Sequence, residues 1–482
     1  MNNISISISD EESDELAGKL RARVRRKRKK LGFRGKNNLI RRIFRVSRRW
    51  WPVLLFLPAI ALLLFEISKL AVKPQEEGKF SDPEPVKQAK VSTEPVKEVP
   101  ANLNRLDPVT RVIGGVRQPC LKLLSPEEIE NLEFPISSEP KSPIKKVVYK
   151  SDSDNHRGDN ITLSKQSAEA TRFNLFTGVQ TLQEREESFK ANETAMVHCG
   201  FYSEHGGFKI SDDDKSYMQT CKAVVSTCAF GGGDDLYQPI GMTEASLQKV
   251  CYVAFWDEIT RSAQEAEGIK INEEHKIGKW RIVVVKDLPF SDQRLNGKVP
   301  KFTWLHLKSR QMLSHRLFPQ ARYSIWVDSK SQFRRDPLGV LEALLWRSNS
   351  TLAISEHGAR SSLYDEAKAV VKKNKATPEE VEVQLNQYRR DGMPDDKRFN
   401  GKKALSEASI IVREHTPSTN LLMCVWFNEV VRFTSRDQLS FPYVLRRLNL
   451  PAVHMFPVCI RKDLVNSMGH RRKVKPLERL SS

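Results

Sequence analysis

The chain of 482 residues has only 23 glycines and no internal repeat of fixed period, which excludes a collagen-like or solenoid protein. It has no C-x-x-C unit to suggest zinc, no H-E-x-x-H and no G-x-S-x-G, so the usual signatures of zinc and serine hydrolases are missing. Long apolar runs are scarce as well. Only one nears membrane-span length, and that excludes a polytopic membrane protein. A wholly disordered chain is excluded by composition, because 39% hydrophobic and 8% aromatic residues suffice for a core. At roughly 100–200 residues per domain, the length allows one large or two ordinary domains plus tails.

The formal net charge of +20 would suggest a nucleic-acid partner if it were spread over a folded domain. Its densest run is instead Lys19–Arg49, with sixteen Lys and Arg and no acid, so no nucleic acid is expected. Residues 1–49 form a tail, acidic and serine-rich first, then basic. Directly after it, Trp50–Phe65 is apolar, broken at Glu66 and Lys69 and resumed by Leu70, Ala71 and Val72. A single transmembrane helix over 50–72 fits, with the Trp pair at one interface and Glu66 and Lys69 snorkelling at the other. A buried core helix is disfavoured by the basic flank. A cleaved signal peptide is disfavoured by the long segment before the apolar run and the lack of a small-residue cleavage site. The basic flank stays cytosolic, which places the rest in the lumen in type II topology. Eleven of the 25 prolines fall within Lys73–Lys145, so residues 73–145 are expected as an extended, disordered stem and 146–482 as the lumenal domain.

All seven cysteines lie on the expected lumenal side, where disulfides persist. Six fall in the folded region, enough for three bridges with Cys120 left over, and spacing assigns no pairs. Sequons at Asn160, Asn192 and Asn349 are expected to be lumenal glycosylation sites, whereas Asn3 would be cytosolic. Strands are expected at 195–200, 222–230, 251–256, 280–285, 323–328, 351–357, 408–413 and 452–456. Helices are expected at 302–318, from the cap Thr377-Pro378-Glu379-Glu380 to about Arg390, at 418–433 and at 438–448. The alternation implies an α/β domain with a mainly parallel sheet and helices on both faces.

In such sheets chemistry gathers at the carboxyl ends of strands. The run Tyr323-Ser-Ile-Trp-Val-Asp328 stays apolar until it ends on an acid, useful at a cleft floor, or else merely the cap of a turn. Asp437-Gln438 opens a helix, either as part of a pocket or as an ordinary N-cap. His470, followed by Arg471, Arg472, Lys473 and Lys475, is either a diphosphate site or a basic tail.

These segments resemble retaining glycosyltransferases of the GT-A fold. There, a strand ends in Asp-x-Asp and holds a divalent cation against a sugar-nucleotide diphosphate. Phe399-Asn400-Gly401 resembles their acceptor-side motif, Asp437-Gln438 their DQ helix, and Gly469–Pro476 their terminal His and Lys-Pro motif. The resemblance implies Asp328, Lys330 and Asp437 as catalytic, Asn400, Gln438, Arg471, Lys473 and Lys475 as substrate- or nucleotide-binding, and Asp328 with His470 as ligands of Mn²⁺ or Mg²⁺. One departure is that Lys330 occupies the second carboxylate position. Either Asp328 and His470 hold the metal with waters, or Lys330 replaces its charge.

The segments Phe201–Phe208, Cys221–Pro239, Ile325–Gln332 and Ser409–His415 are more specifically similar to the plant family named for turgor-regulation-defect and mucilage-related proteins. Length, anchor position and the ISDEESDEL tail look closest to the turgor-regulation-defect branch. That branch implies a Golgi alkaline ceramidase, hydrolysing ceramide to sphingoid base and fatty acid, and this is the first expectation. The mucilage-related branch implies transfer of a hexose from a nucleotide sugar to a cell-wall polysaccharide. A third possibility is a Golgi sugar-binding protein without turnover. Amide hydrolysis would need an activated nucleophile or metal-bound water, for which His198, Glu204, His205 and His357 are candidates.

Overall fold

The computed structural model describes residues 103–136, 144–150, 181–190, 192–198, 208–302, 317–450 and 452–472, all within one compact unit. The expected anchor at 50–72, the stem up to 102, and most of the helix expected over 302–318 lie outside the described residues. Among the described residues no helix is long and apolar enough to cross a membrane.

Eight strands form the central sheet: β1 Ala223–Ala229, β2 Cys251–Trp256, β3 Lys276–Ile277, β4 Trp280–Val284, β5 Tyr323–Val327, β6 Leu352–Glu356, β7 Ser406–Glu414 and β8 Val453–Phe456, in the order β8-β6-β7-β5-β1-β2-β4-β3. The runs β8-β6 and β5-β1-β2-β4 are parallel. Strand β7, however, is antiparallel to both β6 and β5, and β3 is antiparallel to β4. The sheet is therefore mixed, not mainly parallel as expected. The reason is that β7 is buried on both faces, so its apolar run reads like that of a parallel central strand.

Successive residues of one strand feed opposite cores. Val224 and Trp326 face one core, which also takes in Leu421 and Tyr443. Val225 and Ile325 face the other, with Leu338 of the helix Pro337–Leu341 and Leu344 of the helical turn Glu342–Trp346 that continues it. Helices on both faces are thus borne out. Helix α1 is Lys298–Phe302, α2 Pro378–Arg390, α3 Pro417–Arg432 and α4 Asp437–Leu448. Thr377 caps α2 as the sequence implies: its side chain accepts from the Glu380 amide, Glu380 reaches back, and Pro378 takes the first turn. Such a cap contributes about 1 kcal/mol. Helix α3 is buried around most of its circumference, because it lies between the sheet and neighbouring helices.

The expected stem does not hold over 103–136. Thr110–Ile113 and Val116–Pro119 pair as a hairpin through Gly114 and Gly115, both at positive φ, a two-residue turn whose twist suits the strands. Cys120 is not left over but bonds Cys459, and Cys221 bonds Cys251. Cys424 is also disulfide-bonded. The free thiol among the described residues is Cys228, buried and pushed up in pKa by that burial and by Asp328. Helix Pro126–Glu130 begins with a Ser125 capping box and packs Ile129 against the second core.

Candidate functional site

The carboxyl ends of β1 and β5 and the start of α4 meet at one place. Asp328 follows β5, and its amide donates to Ser409 O at 2.9 Å, so the neighbouring strand fixes its backbone. Trp326, two residues earlier and hence on the same face of the strand, donates Nε1 to Asp328 Oδ1 at 2.8 Å. Lys301 of α1 reaches the same oxygen at 3.2 Å and also Asp437 Oδ2 at 2.9 Å. Lys298, one turn earlier, is 2.8 Å from Asp437 Oδ2. One ammonium thus bridges two carboxylates from different elements. Lys301 and Asp437 are each only 4% exposed and Asp328 is 25% exposed, so this centre opens toward solvent at the strand tip.

The electrostatics follow from that crowding. Burial alone would raise the Asp437 carboxyl, but Lys298, Lys301 and Arg436 outweigh it and hold the group far below the usual carboxylate range. Burial likewise opposes ionisation of Asp328, where Lys301, Lys330 and Lys298 prevail and the pKa falls. Lys301 is pushed above the ordinary lysine value despite burial, because both carboxylates need its charge. Lys298 bonds only Asp437 of the two carboxylates, and there burial, helped by the Lys301 charge, wins and lowers it.

Beside this centre, residues 231–235 form a loop after β1. Gly231 and Gly232 have φ of 69° and 68°, where an L side chain is strained, and a Cβ on Gly232 would come within 3.3 Å of Ala263 Cβ. Their amides are held by Asp257 Oδ2 and Thr260 Oγ1, each at 3.0 Å. The loop presents Asp234, which accepts from Ser329 Oγ and lies 2.9 Å from His470 Nδ1. The terminal segment is tied across it: Arg472 N donates to Gly233 O, Arg471 pairs with Asp235, and Arg472 pairs with Asp235 and Glu267. A crevice beneath is lined by Thr227, Tyr237, Trp280, Ser329 and Ser331. Tyr237 Oη is buried there without a hydrogen-bond partner among the described residues, its pKa pushed up to about 12 by burial and by Asp235.

The residues expected from sequence fall into three groups. Asp328, Asp437, Gln438 and Lys330 come together. Asp437 is not an N-cap, because it is the first helical residue and its side chain faces the lysines. Gln438 is buried beside it, with Oε1 lacking a partner among the described residues. Lys330 carries its charge near Asp328, and its carbonyl accepts from Met468 N at 2.8 Å. His470 and Arg471 take Asp234 and Asp235 as partners. Asn400 sits exposed at positive φ before Gly401, in the turn joining Arg398–Phe399 to Lys402–Lys403, and that turn explains its identity. Lys473, Lys475 and Asn160 lie outside the described residues, whereas Asn192 and Asn349 are exposed. Lys298, Lys301 and Asp234 were not singled out from sequence.

A divalent cation does not fit the expected ligand pair. His470 is turned to Asp234, one Asp328 oxygen already takes Lys301 and Trp326, and three ammonium groups surround that carboxylate. Among the described residues no three His, Cys, Asp or Glu side chains are grouped as metal ligands. Of the amide-hydrolysis candidates, His357 is buried, its Nδ1 accepting from the amides of Ala359 and Arg360, while Glu204, His205 and the side chain of His198 lie outside what the structure describes.

Residues 160–470 match the model of the TOD1/MUCI70 glycosyltransferase-like domain. The chain belongs to this family. It is 39% identical over 308 residues to the probable hexosyltransferase MUCI70 of Arabidopsis thaliana, covering 61% of this chain and 51% of that protein. It is 29% identical over 312 residues to the alkaline ceramidase TOD1 of Arabidopsis thaliana, covering 62% and 64%. The chain thus spans about half to two thirds of the length of these relatives. The identities reverse the expected order, in which the turgor-regulation-defect branch stood nearer. Among solved structures, the bifunctional glycosyltransferase WbbM aligns at 12% identity with a TM-score of 0.28, over 53% of this chain and 40% of that one. The galactosyltransferase LgtC aligns at 12% with a TM-score of 0.24, over 48% and 72%. Scores this low carry no weight for fold or function.

Proposed function

We propose that the protein transfers a hexose from a nucleotide sugar to a polysaccharide hydroxyl, and that it does so as a Golgi-anchored, type II membrane protein with a lumenal domain. The observation that carries the transfer is the pair Asp328 and Asp437, both held ionised and bridged by Lys301 at the carboxyl end of the sheet, where open α/β sheets bind ligands. The higher identity to a probable hexosyltransferase supports it. Disulfides support the oxidising compartment.

In the transfer, the bond from the anomeric carbon to the diphosphate oxygen breaks and a bond to the acceptor oxygen forms. Negative charge gathers on the leaving diphosphate, whose departing oxygen takes up the acceptor's proton, so that bonds and charge balance. Carboxylates with depressed pKa are weak bases, so Asp328 and Asp437 are suited to accepting hydrogen bonds from sugar hydroxyls, not to removing the acceptor proton. Gln438 Oε1, buried beside Asp437 and without a partner among the described residues, offers a third acceptor for the sugar. Among the described residues the free thiol acted on by this centre, Cys228, is buried and shifted toward its protonated form, which makes it a poor nucleophile for ceramide hydrolysis. The test is a paired assay on the purified full chain: turnover of a panel of nucleotide sugars with polysaccharide acceptors, beside fatty-acid release from ceramide. Release of fatty acid with no nucleotide sugar consumed would refute the proposal.

A further inference from the structure

The geometry points to a donor site that takes no divalent cation: Lys330 and Lys298 hold the diphosphate, and Lys301 fixes the two carboxylates. This rests on the hexosyl-transfer reading and adds how the donor's charge is met.

The first support is a charge balance. Lys330 contributes one positive charge beside Asp328. An aspartate at 330 would contribute one negative charge, which a bound divalent cation would turn into one positive. Lysine at 330 therefore supplies, without a metal, the same net charge as a metal-loaded Asp-x-Asp. It is also the change that makes a cation unwelcome, since a third ammonium now repels it.

The second support is donor accounting. An ammonium has three N–H donors. Lys301 gives one to each carboxylate and is 4% exposed, so it acts through Asp328 and Asp437 as a positioning residue. Among the described residues Lys298 gives one to Asp437, which leaves two, and its side chain is 15% exposed. Lys330 is half-buried on the turn after β5, between Ser329 and Ser331, which line the crevice, and its charge acts on Asp328. Lysines bind phosphate as point charges and need no fixed fork geometry, which suits a site assembled from a turn and a short helix.

The experiment is calorimetric titration of the purified full chain with UDP and with GDP, in excess EDTA and again with Mn²⁺. The expected result is binding of one nucleotide in EDTA, unchanged by Mn²⁺. Lys330→Ala should weaken it by about 10- to 100-fold, the loss of one charge-assisted contact, with an unchanged melting curve, and Lys330→Arg should retain it. Lys330→Asp should lose binding in EDTA and regain it with Mn²⁺. Binding by the parent only when Mn²⁺ is present would overturn the inference and leave hexosyl transfer standing, as would parent-like affinity in Lys330→Ala. Failure to bind either nucleotide in both conditions would defeat the transferase reading, and the inference with it.

Discussion

Replacing Lys301 by Met keeps the length and the apolar stem of the side chain and deletes the one charge that Asp328 and Asp437 share. Removing one partner of a buried pair costs about 3–5 kcal/mol, because the other is left as an uncompensated buried charge. Two features point to the lower end. Lys298 still faces Asp437 at 2.8 Å, and Asp328 is a quarter exposed. At about 2–4 °C per kcal/mol, a loss of about 3 kcal/mol lowers Tm by about 6–12 °C. The pH dependence separates this cause from lost packing. In the parent both carboxyls have folded pKa values below the unfolded value near 3.9, so their stabilisation is present above that value and fades as the pH falls below it. In Lys301→Met, burial is less opposed and the folded pKa values rise, so the variant loses stability as the pH climbs through them. The gap between the two proteins should therefore be widest near pH 7 and close toward about pH 4. Thermal melts across that range measure it, and Lys301→Met with Asp437→Asn should melt above the single variant at pH 7. A gap constant with pH, or none at pH 7, would show that Lys301 serves only as packing and that the bridged pair is not what shapes the centre.

Asp328→Asn keeps size and most hydrogen bonding, so its melt should stay near that of the parent while donor turnover falls about 10²-fold, the scale for one preorganised electrostatic group; full activity would reduce Asp328 to a turn cap. Cys120→Ser opens a bridge spanning 339 residues and should lower stability by about 2–5 kcal/mol, read as a lower Tm without change in donor affinity. Asn192 and Asn349 are exposed, so endoglycosidase should shift mobility, and the Asn→Gln double variant should lose most of that shift. Protease added to sealed microsomes should spare the C-terminal domain until detergent is present; digestion without detergent would sink the type II topology.

How much of this could be read from the chain depended on whether the information was local. All eight expected strands are present, seven in the central sheet and the first as Thr194–His198, paired with Lys146–Lys150 outside it, because apolar runs ended by turn residues report burial directly. The direction of β7 was not legible, since burial on both faces leaves the same run whichever way a strand points. The disulfides were not legible either, because Cys120 meets Cys459 only after the whole sheet has been laid down between them. Asp328 was legible for a local reason: a short run rich in apolar and aromatic residues that ends on an acid has few explanations in a buried strand.

Lys298 and Lys301 had no such local mark. They lie 139 residues before Asp437 and 27 before Asp328, on a five-residue helix of mixed composition, and in the sequence they are two lysines among 79 basic residues. What could have exposed them is a conservation of charge. A second carboxylate at position 330 would have called for a cation, and a lysine there calls for none only if enough other charge is already present. The structure supplies that charge from α1, so the departure at Lys330 and the two lysines missed in the sequence are parts of one arrangement. An anion held by side-chain ammonium groups is also screened by salt in a way that a chelated metal is not. Donor affinity should accordingly fall as ionic strength rises and be indifferent to chelator, a pairing of responses that a metal-bridged diphosphate would invert.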